Sequence, residues 1–337
     1  MKTLTLVCGI AAFGLLAAKS EALTFNLTFT GSTTASSPSG LAFQRAANTF
    51  ASLFADNATI NLNVGTAALG SGILAQAGSP SVAVSYTNFR NAMIADASTA
   101  NDALAVASLS AGSTFSARSN YFSDAGSNAT GGNVSMSFLD VNRANAKALG
   151  LLAANDSATD GFITFSTAFT WDYDNTNGIS GSDFDFEGIA MHEIGHALGF
   201  VSGVDFVASI GAGQYSSTQF AWVSPLDMFR YSGAGTRNLM ANNDAKYFSL
   251  DLGATGASQL FSNGVSRGDG RQASHWKDNL GLGALDPTAG RGELLTLSAL
   301  DKKAFDVIGF TPVPEPATMI ALGLGIAGLA RRRRKTD

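Results

Sequence analysis

The chain has little cysteine, histidine, glutamate or charge. Its one cysteine in 337 residues is Cys8, which sits inside an apolar leader. With the leader removed no thiol remains, which excludes disulfide staples, thiolate metal sites and a cysteine-switch prosegment. Cys8 is itself a poor lipid acceptor, because Thr5-Leu6-Val7 lacks the small residue such a site needs before its cysteine. Only 14% of residues are charged, while 45% are hydrophobic, which is ample for a packed core. Long apolar runs are missing too. The longest candidate near the C-terminus, residues 317–330, has 14 residues against the ~20 that span a bilayer comfortably.

Both ends read as export signals. Residues 1–22 combine Lys2, an apolar stretch from Leu4 to Ala18 and a small-x-small site at Ser20-Glu21-Ala22, the pattern of a cleaved signal peptide. At the far end, Val313-Pro314-Glu315-Pro316 precedes the apolar run 317–330, then Arg331 to Arg334 and Lys335. The basic cluster would stay on the cytoplasmic side. Removing two basic and one acidic residue at the front, and five basic and two acidic at the back, leaves 14 basic and 23 acidic residues between 23 and 313. A body near −9 argues against nucleic acid as a partner.

The chain's chemistry is concentrated in residues 191–200, Met-His-Glu-Ile-Gly-His-Ala-Leu-Gly-Phe. His192 and His196 stand four apart and so leave one face of a helix one turn apart. Two neutral imidazoles at that spacing suit Zn²⁺, and Glu193 between them is placed to act as general base on a metal-bound water. A helix face carrying two satisfied histidines is the bland alternative. It loses ground because the chain holds only three histidines and five glutamates, and two of the histidines flank one of those glutamates. The remaining histidine, His275, is the candidate third ligand, with Ser202, Asp205 and Asp227 as rivals.

Local pattern places the rest. Residues 23–30 alternate as a strand with Leu23, Phe25, Leu27 and Phe29 on one face, and Ile60, Leu62 and Val64 repeat that period. Residues 41–54 space Phe43, Ala46, Ala47, Phe50 and Phe54 as a helix side. Further helices are expected over residues 86–97, with Phe89, Met93 and Ile94 inward, and over 140–149, stopped by Gly150. Residues 126–132 read as a glycine-, serine- and asparagine-rich loop. Residues 161–171 read as an edge strand, a lip on which an extended peptide could lie. Asp172, Asp174 and Thr176 resemble half a calcium loop, but Asn177 stands where glycine is needed and no glutamate closes the loop, so an acidic turn is expected. The metal-binding helix is expected to start at Asp183 as N-cap, with Gly199 and Gly203 as exits.

Two resemblances follow from these residues. The proline-glutamate-proline, short apolar run and arginine cluster resemble the PEP-CTERM sorting tail. That implies transient inner-membrane contact through residues 317–330 and removal of the tail by an exosortase-type enzyme. His192-Glu193-x-x-His196-x-x-Gly199 resembles the metzincin zinc endopeptidases, although Ser202 occupies the position of their third ligand. Ala197-Leu198-Gly199-Phe200 followed 79 residues after His196 by His275-Trp276 looks like leishmanolysin, in which a long insertion separates the glycine from the third histidine. The same resemblance puts Leu285, within Gly283-Ala284-Leu285-Asp286-Pro287, where the methionine beneath the zinc would be, and makes the closing stretch with Asp301, Phe305 and Ile308 a final helix.

The resemblance implies an α+β, metzincin-like zincin, with a mixed N-terminal sheet, an active-site helix and a smaller, irregular C-terminal part. The division expected is a signal peptide over 1–22, a metallopeptidase domain over 23–312 (subdomains 23–199 and 200–312) and a sorting tail over 313–337. Three histidines leave one position of tetrahedral Zn²⁺ open, as in catalytic sites. The expected activity is hydrolysis of a protein or peptide substrate, with His192, His196 and His275 holding zinc and Glu193 acting as base. The expected location is the periplasm, the cell surface or the extracellular matrix. The competing reading is a non-catalytic cell-surface or biofilm-matrix protein with a structural or relic zinc site; Glu193, which has no duty in a structural clip, favours the enzyme.

Overall fold

Alternation and helical spacing settle the first half of the chain much as they should. The computed structural model describes residues 23–120, 131–209 and 221–314; the leader, most of the 126–132 loop and the apolar run 317–330 lie outside them. In chain order the first elements are β1 (Thr24–Thr30), α1 (Pro38–Leu53), β2 (Thr59–Ala67), β3 (Ala75–Gly78), β4 (Ser81–Ser85), α2 (Tyr86–Asp96) and α3 (Ala100–Ser108). They are followed by β5 (Phe115–Ser119), β6 (Gly132–Met136), β7 (Phe138–Asn142), α4 (Arg143–Ala148), β8 (Gly161–Ser166), β9 (Trp171–Asp172), β10 (Phe184–Asp185) and α5 (Phe186–Leu198). The last group is α6 (Val204–Ser209), β11 (Arg230–Gly233), β12 (Thr236–Arg237), β13 (Lys246–Phe248), β14 (Leu260–Phe261) and α7 (Ala299–Asp306). The protein is thus of mixed α and β type.

The main sheet has the order β1-β2-β8-β3, with β1, β2 and β8 parallel and β3 antiparallel at the edge. Ile60, Leu62 and Val64 of β2 and Ile163 and Phe165 of β8 point into the core that α1 and α5 cover. Phe43 on α1 meets Phe165 and Phe186 edge-on, with centroids 5.2 and 5.1 Å away, and Phe165 stacks on Phe186 at 4.0 Å. This aromatic contact seats the start of α5 on the sheet.

Several expectations are corrected by tertiary pairing. Residues 161–171 are not an edge strand: β8 lies inside the sheet and stops at Ser166, and the edge belongs to β3, whose Ala-Gln-Ala-Gly sequence has no alternation to reveal it. Phe162 is 49% exposed on the outer face. The helix expected over residues 140–149 is a strand as far as Asn142, because Val141 pairs with Val82 and Leu139 and Val141 are buried; only Arg143 onwards is helical. Ile94 faces solvent. The N-cap of α5 is Asp185, which accepts the Gly188 amide at 2.8 Å, while Asp183 lies before a short pairing of β10 with β9 that keeps the backbone extended. The C-terminal part is less irregular than expected, since β12-β11-β13-β14 form a sheet of strands too short to leave a periodic signal.

Residues 311–313 return to the end of α1. Ala55 donates to Thr311 O at 2.8 Å and Val313 to Leu53 O at 2.8 Å, so the segment before Pro314 is held against the end of α1. Here Asp56 accepts the Thr311 amide with both oxygens at 3.2 Å. Burial pushes its carboxyl up to about 7, with the charge of Asp102 adding to the shift. Asp96, also raised to about 7 by burial, and Asp306, raised to about 6, face the same region. A carboxyl that keeps its proton only when folded stabilises the fold fully below pH 3.8, and that contribution disappears as pH rises through about 7. Wild type is therefore expected to lose unfolding free energy relative to Asp56→Asn, by on the order of a few kcal/mol, between pH 4 and pH 7.5. Denaturant titrations of both proteins at several pH values check this; a difference independent of pH contradicts it.

Candidate metal centre

α5 is apolar on three sides. Ile189, Ala190, Ile194, Ala197 and Leu198 are buried, and Gly195 is glycine because Leu285 packs against it: a Cβ there would lie 3.1 Å from the Leu285 Cδ1. The fourth side carries His192, Glu193 and His196 into a cleft of about 680 Å³. Gly199 ends the helix in the left-handed conformation, φ +119°, where any side chain would be strained. Gly203 serves differently from an exit. A Cβ would fall 1.9 Å from the Trp222 carbonyl, so the chain needs glycine there for close approach.

His275 comes to the same point as His192 and His196. The three Nε2 atoms form a near-equilateral triangle, 2.9 Å from His192 to His196, 3.1 Å from His196 to His275 and 3.2 Å from His192 to His275. Ligands at ~2.0–2.1 Å around a tetrahedral zinc are roughly 3.3 Å apart, so the triangle fits that ion. Ring tautomers supply the stronger test. Each Nδ1 faces a backbone carbonyl, Ala284 at 2.8 Å, Phe200 at 2.7 Å and Gln272 at 3.2 Å. With all three Nδ1–H groups committed outwards, three Nε2 lone pairs face one another with no proton between them, an arrangement that a cation relieves. Burial holds all three imidazoles below their ordinary pKa, His196 at about 3, which keeps the donor form available. Among the described residues, this is the one group of three or more metal-ligating side chains close enough to share an ion.

Glu193 is 6% exposed, and burial pushes its carboxyl up to about 8 before any cation acts on it. A dication among the histidines would favour the ionised form and lower that value. Leu285 is fully buried, and its loop is tied on both sides: Leu285 O accepts the Trp276 amide at 2.9 Å, and Asp301 on α7 takes Ala284 N at 2.8 Å and Trp276 Nε1 at 2.7 Å. One carboxylate therefore joins the segment that carries His275, the Leu285 loop and the final helix.

The three rivals of His275 are engaged elsewhere. Asp205 accepts from the amides of Ala273 and Ser274 and from the Ser274 hydroxyl, so it grips the segment that carries His275. Ser202 donates its hydroxyl to Asp227, which also takes the amides of Gly203 at 2.8 Å and Ser224 at 3.0 Å. The Arg230 guanidinium, fully buried, donates to Ala273 O at 3.2 Å from behind. These supports were not visible in the sequence, where acidic residues near the motif carried no distinguishing pattern. Asp172 and Asp174 are turned onto backbone amides of Asp174, Ser180 and Thr176, as an acidic turn requires.

Comparison with known proteins adds one match. Residues 312–335 match the family model of the PEP-CTERM protein-sorting motif, which makes this an exported protein sorted to the cell surface and processed by an exosortase-type enzyme. No curated protein and no solved structure matches the chain. Among the described residues no helix is long and apolar enough to cross a membrane. Mass spectrometry of protein released from the surface is expected to find a C-terminus close to Pro314; recovery of intact Arg331 to Arg334 in that fraction would instead support a permanent tail anchor.

Proposed function

We propose that the protein is an exported zinc endopeptidase, with a catalytic domain of metzincin-like type. The observation that carries this reading is the convergence of three Nε2 lone pairs beside a buried glutamate on the wall of an open cleft. His192, His196 and His275 would hold the ion and leave a position open to the cleft. Bound zinc would supply a Lewis acid that brings the pKa of a water to about 7 and polarises the scissile carbonyl.

The remaining steps belong to the chain. Glu193, one residue after the first ligand, takes the proton of the attacking water on its carboxylate and returns it to the leaving amine. Burial of that carboxylate raises its affinity for the proton it must carry, and the cation opposes the shift, which brings the group toward the working pH. Leu74, Ala75, Gln76 and Ala77 on and beside the free edge of β3 line the cleft opposite α5, so an extended peptide laid there could add to the sheet by main-chain hydrogen bonds. Ile189, Pro287 and Leu295 add apolar surface to the cleft lining.

The reading predicts cleavage of a denatured protein substrate that a chelator abolishes and added zinc restores, with about one zinc per chain by elemental analysis. Stoichiometric zinc without any hydrolysis would leave a structural clip on a cell-surface protein as the better account.

A further inference from the structure

A second hollow, about 320 Å³, opens from the metal-site cleft and shares Ala77, His196 and Val201 with it. It lies at the Gly78 end of β3, and neither Ile189 nor Leu295 lines it. Its lining includes Phe206 and Trp222, the amide side chain of Asn142 and one carboxylate, Asp140; among the described residues no lysine or arginine contributes to it. Asp140 is held by its backbone, which pairs with Ala83 across the β4–β7 ladder and donates to Val223 O at 2.9 Å. Its side chain lies near the Ser81 hydroxyl and has no basic partner among the ion pairs of the described residues.

A half-buried carboxylate without a counter-charge is costly unless something brings the charge to it. We propose that this hollow is a recognition subsite for a lysine or arginine side chain of the peptide substrate, with Asp140 as counter-charge and Phe206 and Trp222 flanking the aliphatic stem. The inference rests on the endopeptidase reading, and it names the substrate class: chains that present a basic residue where they pass the Gly78 end of β3. The stem of such a side chain is apolar and its head is cationic, so a hollow lined by both aromatic rings and a carboxylate matches both parts. Burial raises the Asp140 carboxyl and the nearby Ser81 hydroxyl opposes the rise, so a bound cation would favour the ionised form further. A net-acidic body adds a general attraction for basic peptides, but that attraction does not depend on one position, and a subsite does.

The test separates the subsite from catalysis by reading binding. Fluorescein-labelled peptides of ten residues, identical except for Lys, Arg, Leu or Glu at a single scanned position, are titrated against the zinc-loaded exported chain carrying Glu193→Gln. At one position the Lys and Arg peptides are expected to bind roughly 10–100-fold more tightly than the Leu peptide, with Glu weaker still. Adding Asp140→Asn, which keeps an oxygen for Ser81, should remove that preference and leave the Leu peptide's affinity unchanged. Equal binding of Lys and Leu peptides at every position by the chain with Asp140 intact overturns the subsite by itself, whatever the variant does, while hydrolysis by the wild type would still uphold the peptidase. A Lys preference that survives Asp140→Asn also overturns it. Absence of both binding and hydrolysis removes the peptidase reading and the subsite together.

Discussion

Glu193→Gln is expected to retain its zinc and to lose peptide hydrolysis by roughly 10²–10⁴-fold or more, the range a positioned general base contributes. The substitution keeps shape and removes the proton acceptor. It also removes a carboxyl whose burial pushes it up to about 8, so a neutral amide is at least as easily accommodated in the folded chain. The three imidazoles and their carbonyl partners are untouched, so zinc content and thermal midpoint should match the wild type. Comparable turnover by the two proteins would sink the mechanism, and loss of zinc in the variant would move Glu193 from base to ligand support.

His275→Ala should weaken zinc binding by more than the roughly 10–100-fold that loss of a contact supporting a ligand costs. Asp205→Ala should fall within that lower range, because its carboxylate holds the amides of Ala273 and Ser274 and not the ion. Ser202→Ala should change affinity least, since its hydroxyl is spent on Asp227. Competition with a chromogenic chelator gives all three affinities on one scale. Undiminished affinity in His275→Ala, with loss in Asp205→Ala, would replace the third imidazole by an aspartate. The 79 residues between His196 and His275 are no objection, because loop-closure entropy rises by only about 0.6 kcal/mol per doubling of length.

Periodicity was a sound guide where an element's neighbours agree with its own pattern. α1 carries Phe43 and Phe50 inward at helical spacing, and β1 and β2 alternate because one face of each meets the core. It misled at residues 140–142, where Leu139 and Val141 fit a helix or a strand and pairing with β4 decided the matter. It was silent on β3, four small or polar residues whose strand character comes wholly from β8 beside them.

By itself the sequence determined the sorting motif at 312–335 and the helix face that carries His192, Glu193 and His196. These depend on adjacent residues, and a helix of 3.6 residues per turn fixes their relative directions without outside help. Only the tertiary structure decided which of four candidate side chains joins the pair, that Leu285 lies against Gly195, and that Asp205 and Asp301 hold the returning loops. Those contacts join residues tens of positions apart, and their partners are chosen by core packing and by the need to satisfy buried amides, neither of which leaves a periodic trace along the chain.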